Sequence, residues 1–192
     1  MHKLILKLTA ALAMSAATLC HAATVGFDTD NLIDIDNSSN LASYSEAGFN
    51  LTGQAASFLT IDGVGTGMSG GLVLLGGNTL RLSADNGGLF SFSGLGAGLY
   101  DPAMAAMLKV TGIFGDSTQR TSVVTLGNFG HLDFAGLNGL SELRLSANAD
   151  VVFDDLMLTA SPVPEPGPAA MLLLGIGTLV AARRVAKARS AS

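Results

Sequence analysis

Between residues 23 and 161 the chain runs in short apolar bursts, broken about every ten residues by Gly, Asn, Asp or Pro. A sustained 3.6-residue period is almost absent, so the pattern predicts strands rather than helices. Strands are predicted over 24–27, 32–35, 48–51, 57–61, 72–75, 79–83, 89–93, 108–114, 122–126, 131–134, 142–146 and 151–159. Strict alternation is clearest in Thr79-Leu80-Arg81-Leu82-Ser83 and Glu142-Leu143-Arg144-Leu145-Ser146. There the leucines face a core and the polar groups face water. Asp62-Gly63, Gly76-Gly77-Asn78, Asn86-Gly87-Gly88 and Asn138-Gly139 supply the left-handed backbone that tight turns require. Only 103–107 reads as helix, and briefly. So many short strands in so few residues predict an all-β fold, a jelly-roll-like β-sandwich spanning 23–160.

Hydropathy changes character at both ends. Lys3 and Lys7 precede an apolar run of 12 residues over 8–19, and Cys20-His21-Ala22 places small residues before a cut between Ala22 and Ala23. That is the layout of a cleaved signal peptide over 1–22, because a membrane anchor needs about 20 apolar residues. After removal of residues 1–22 no cysteine remains, which excludes disulfides and thiol catalysis. At the other end, Pro162, Pro164, Pro166 and Pro168 forbid a helix and favour a stiff spacer. Residues 169–182 then carry no charge, and Arg183, Arg184, Lys187 and Arg189 follow. A helix of fourteen residues spans about 21 Å at 1.5 Å per residue, a short transmembrane anchor for about 30 Å of hydrocarbon. Its basic flank belongs on the cytoplasmic side and the body outside.

Val163-Pro164-Glu165-Pro166, the apolar stretch and Arg183-Arg184 together resemble the PEP-CTERM sorting signal of Gram-negative bacteria, a tail also catalogued as an ice-binding protein C-terminal region. The resemblance covers 161–192. It implies an exosortase as partner, a membrane-embedded cysteine peptidase that recognises the tail and passes the protein to the cell surface or extracellular matrix. Pro164, Glu165 and Pro166 would form the recognition motif and Arg183 and Arg184 the stop-transfer charges. The inner membrane would hold the chain only in transit, and exopolysaccharide or biofilm would be its destination. More loosely, Phe27-Asp28, Tyr44, Gly48-Phe49, Val110-Thr111-Gly112 and Val152-Phe153-Asp154-Asp155-Leu156 resemble the sandwich bodies joined to such tails, and the closing strand is similar to those of carbohydrate-binding modules.

Charge sharpens this layout. Residues 23–161 hold twelve Asp and two Glu against Arg81, Lys109, Arg120 and Arg144, a net charge of -10, while both termini are basic. So acidic a body argues against nucleic acid as partner. Candidate chemistry is sparse. His131 is the single histidine beyond the signal peptide, with Asp133 two residues on and no Gly-x-Ser-x-Gly elbow. Gly65-Thr66-Gly67-Met68-Ser69-Gly70 matches a dinucleotide fingerprint in letters, but the glycines that follow make a poor helix, so a flexible loop is expected. Asp28, Asp154 and Asp155 come from the opening and closing strands, which a sandwich can bring together. They are candidate ligands for a structural Ca²⁺. The residues therefore point to an exported, non-catalytic protein, and the resemblance of the tail implies a surface or matrix destination. A carbohydrate-binding module and an exported hydrolase are the alternatives; in the former Tyr44 or Tyr100 would stack on sugars, though either tyrosine fits a core edge equally well.

Overall fold

A computed structural model describes residues 21–27, 33–62 and 70–161. Among these residues there are thirteen strands and no helix: β1 (His21–Val25), β2 (Asp34–Asp36), β3 (Leu41–Glu46), β4 (Phe49–Gln54), β5 (Phe58–Asp62), β6 (Gly70–Leu74), β7 (Thr79–Ala84), β8 (Phe90–Leu99), β9 (Ala106–Phe114), β10 (Gln119–Leu126), β11 (Gly130–Asp133), β12 (Leu140–Ala147) and β13 (Val151–Ala160). The fold is all-β, as expected, and every pairing is antiparallel.

Pairing divides the strands into two halves. One runs in the order β2-β3-β4-β7-β12-β9-β10. The other runs β11-β8-β13-β6-β5, with β1 beside the far end of β13. One bridge, Leu140 on β12 to Phe90 on β8, joins them into a continuous sheet. The halves face each other across a single core. Phe49 of β4 meets Phe90 edge-on at a centroid distance of 5.6 Å, and Phe27 beyond β1 meets Tyr44 of β3 at 5.3 Å. Alternation does the burying: Leu80, Leu82 and Ala84 of β7, and Leu143, Leu145 and Ala147 of β12, point inward while the residues between them point out.

Three local features depart from the simple pattern. Residues 103–107 do not form a helix. Asp101 starts a turn in which its carbonyl accepts the Met104 N–H and its carboxylate accepts the Ala103 N–H, and Ala106 then enters β9 with its side chain inward. Strand β3 is an addition: Ser43, Ser45 and Glu46 are weak strand formers, and pairing with β2 and β4 makes the strand. On β13 the partner register jumps between Asp154 and Met157, with Asp155 at φ 48. That bulge exchanges the faces, so Val151 and Phe153 point into the core before it and Leu156 and Leu158 after it.

Polar turns close the hairpins of the first half. Between β2 and β3 the Asp36 carboxylate accepts the Ser38 N–H and the hydroxyls of Ser38 and Ser39, which lowers its pKa to about 2. Between β9 and β10 Asp116 accepts both the hydroxyl and the N–H of Thr118, and its pKa is likewise lowered.

Candidate functional site, a polar trough on the outer face

Register across β4, β7, β12, β9 and β10 determines which outward side chains become neighbours. Thr52 stands opposite Arg81, Arg81 opposite Arg144, Arg144 opposite Thr111, and Thr111 opposite Thr121. One step along, Thr79 stands opposite Ser146, Ser146 opposite Lys109, and Lys109 opposite Val123. Five strands at about 4.8 Å spacing make this face about 19 Å across.

Three adjoining depressions run over it. The first, about 450 Å³, lies between β4 and the turn before β7, among Thr52, Gln54, Asn78, Thr79 and Arg81. The second, about 280 Å³, adds Lys109, Thr111, Gln119, Thr121 and Arg144. The third, about 410 Å³, continues past Lys109 to Met107, Val123 and Asn148. Shared walls at Thr79, Arg81, Lys109 and Ser146 make them one trough. The turn at one end requires glycine: Gly77 holds φ +81, and a Cβ on Gly76 would stand 2.8 Å from the Cα of Ala149. The trough's walls are mostly hydroxyls, amides and cations, with Leu41 at one end and Met107, Val123 and Ala147 at the other, and no Trp, Tyr, Phe, Asp or Glu lines it.

Hydrogen bonds hold several wall groups in place. The Thr111 and Thr121 hydroxyls share one at 3.0 Å. The Asn78 amide donates to the carbonyls of Leu75 and Gly76, and Asn148 Oδ1 accepts the Met107 N–H at 2.7 Å. At the rim Arg144 Nε donates to Glu142 Oε1, which lies 4.0 Å from Arg81 Nε. Both guanidinium groups are substantially exposed, so this bridge sets their orientation more than it adds stability.

Other residues singled out in the sequence have different places. Tyr44 is not a sugar platform. It is 1% exposed in the core, and its hydroxyl donates to Glu46 Oε2, which also accepts the Phe27 N–H. Tyr100 is exposed but does not line the trough. His131 lies on β11, with Nε2 3.3 Å from Asp133 Oδ1 on the same strand face. Asp154 is buried and its Oδ1 accepts the Asp155 N–H at 2.7 Å, a bond that closes the bulge. Asp28, the third candidate calcium ligand, lies outside the described residues, and among the described residues no group of three or more potential ligands could hold a metal. Ala22 and Ala23 lie within β1, opposite Thr159 and Leu158, so a cut between them leaves Ala23, Thr24 and Val25 paired with β13. Pro164, Glu165, Pro166, Arg183, Arg184, the apolar run 169–182 and the glycine loop 65–70, except Gly70, lie outside the described residues. Among the described residues no helix is long and apolar enough to cross a membrane.

No family model matches the chain and no curated protein matches it. Solved structures resemble it in β architecture. The CBM22-1 xylan-binding domain of Paenibacillus barcinonensis Xyn10C aligns over 77% of this chain and 99% of its own at 14% identity and a TM-score of 0.43. The C-terminal family 22 carbohydrate-binding module of Clostridium thermocellum Xyn10B aligns over 62% and 90% at 14% identity and 0.40. The family 11 module of C. thermocellum Lic26A-Cel5E aligns over 74% and 96% at 10% identity and 0.41.

Proposed function

We propose that the chain is an exported, non-catalytic polysaccharide-binding protein whose jelly-roll-like body holds glycan in the outer trough and whose tail directs it, through an exosortase, to the cell surface or extracellular matrix. One observation carries the binding half of this reading: hydroxyl, amide and guanidinium groups from five strands line a single open trough. Sugar hydroxyls both donate and accept, and a wall of mixed donors and acceptors on rigid strands satisfies them without ordering a loop. An open trough also suits a chain running through it better than a small molecule, which pockets enclose. A purely architectural role needs no such alignment, and this favours the carbohydrate-binding alternative. Against hydrolysis, His131 stands on β11, apart from the trough, and Glu142 is engaged by Arg144.

Affinity electrophoresis of the purified protein through gels containing xylan, mixed-linkage glucan, polygalacturonate or the producer's own exopolysaccharide tests this directly. Retardation is expected in at least one gel, and the Gln54→Ala/Asn78→Ala double variant is expected to weaken it about tenfold, each side-chain hydrogen bond being worth about 0.5–1.5 kcal/mol. Tyr100→Ala should run as wild type. Unretarded migration in every gel would refute polysaccharide binding.

A further inference from the structure

Residues 23–161 carry fourteen acidic side chains and four basic ones, yet Arg81, Lys109 and Arg144 all line the second depression and no acidic residue lines any of the three. Arg81 and Arg144 are direct cross-strand partners on β7 and β12. Like charges in that relation destabilise a sheet. Glu142 offsets one charge at the rim, which leaves about two positive charges over Thr111, Ser146 and Lys109. Lys109 stands on β9 diagonally across from Arg144, opposite the next outward residue of β12, Ser146. The arrangement is a line of three cations in the second depression, whose other walls are hydroxyls and an amide.

We infer that the trough takes a carboxylate-bearing polysaccharide, a polyuronate, with Arg81, Arg144 and Lys109 pairing with the ring carboxylates. This rests on the polysaccharide-binding reading and specifies its ligand class. A guanidinium presents a planar fork that matches a carboxylate, and the bonds are charge-assisted. The neighbouring Thr52, Thr79 and Thr121 hydroxyls and the Gln54 and Gln119 amides supply partners for the hydroxyls of the same rings. The acidic remainder of the body does not prevent approach, since at physiological ionic strength charges beyond about 8 Å are largely screened.

Affinity electrophoresis of the purified full chain compares polygalacturonate with its fully methyl-esterified form, which has the same backbone without the charge. Retention by polygalacturonate is expected to exceed retention by the ester at least about tenfold, to fall with added salt, and to drop by a similar factor in Arg81→Gln/Arg144→Gln. The variant's thermal midpoint, measured alongside, shows that the fold is kept, because glutamine relieves the like-charge pair. Equal retention by acid and ester would overturn the polyuronate assignment and leave polysaccharide binding standing. Retention by dextran sulfate or duplex DNA as strong as by polygalacturonate would also overturn it, since only charge would then be read. Absence of retention in every polysaccharide would defeat both.

Discussion

Replacing Phe90 with alanine is expected to cost the fold about 3–5 kcal/mol. Phe90 is fully buried, pairs with Leu140 at the single bridge between the two halves, and packs edge-on against Phe49. Truncation removes the ring that fills the seam and leaves a cavity between elements that meet nowhere else through backbone pairing. Domains are stable by only about 5–15 kcal/mol, so the variant should lose a large part of its stability. Phe90→Leu, which keeps much of the volume, should lose less, and Tyr100→Ala, at an exposed site, about 0.5 kcal/mol or less. Denaturant midpoints at constant slope give the comparison. A loss below about 1 kcal/mol in Phe90→Ala would mean that the halves are not held together at this seam.

Removing residues 162–192 is expected to release the body from the membrane fraction as a soluble exported protein. The expectation follows from the proposed sorting signal, in which the fourteen uncharged residues 169–182, about 21 Å long if helical, would serve as a short anchor ahead of Arg183 and Arg184. Glu165→Ala, which changes only the carboxylate of the Pro-Glu-Pro motif, should leave unprocessed chain of full C-terminal mass in the membrane fraction. Fractionation and intact-mass spectrometry read both outcomes. Unchanged anchoring and mass in the two variants would exclude exosortase processing.

Much of the strand pattern is legible in the residues because alternation and burial coincide. Thr79–Ala84 and Leu140–Ala147 can be assigned from their leucines alone, and both are strands with those leucines inward. Leu41–Glu46 is harder to see: its inward face is only Ala42 and Tyr44, and the strand exists because β2 and β4 pair with it. Asp155 hides another feature, since a bulge in a run of apolar residues looks like unbroken strand until the partner register shows which side chains change face. The trough is harder still. Alternation places Arg81 and Arg144 in water, but only the pairing of β7 with β12 makes them neighbours, and only β9 brings Lys109 beside them. One signal was present: three of the four basic residues of 23–161 sit at outward positions of predicted strands. Tyr44 shows the converse, since an aromatic between two serines fits a surface platform and a core edge equally until its ring is found against Phe27.

Protection of Met107 tests the central claim most directly. Met107 lines the trough and is 51% exposed, whereas Met104 at 56% and Met157 at 41% lie outside it. Three thioethers of similar accessibility thus report on one surface and two controls. Hydroxyl-radical oxidation with peptide mass spectrometry, run with and without saturating polygalacturonate, should show Met107 protected severalfold while Met104 and Met157 oxidise as in the free protein. Bound polysaccharide that leaves Met107 as reactive as before, or that protects Met104 or Met157 instead, would contradict the assignment of the glycan to this face.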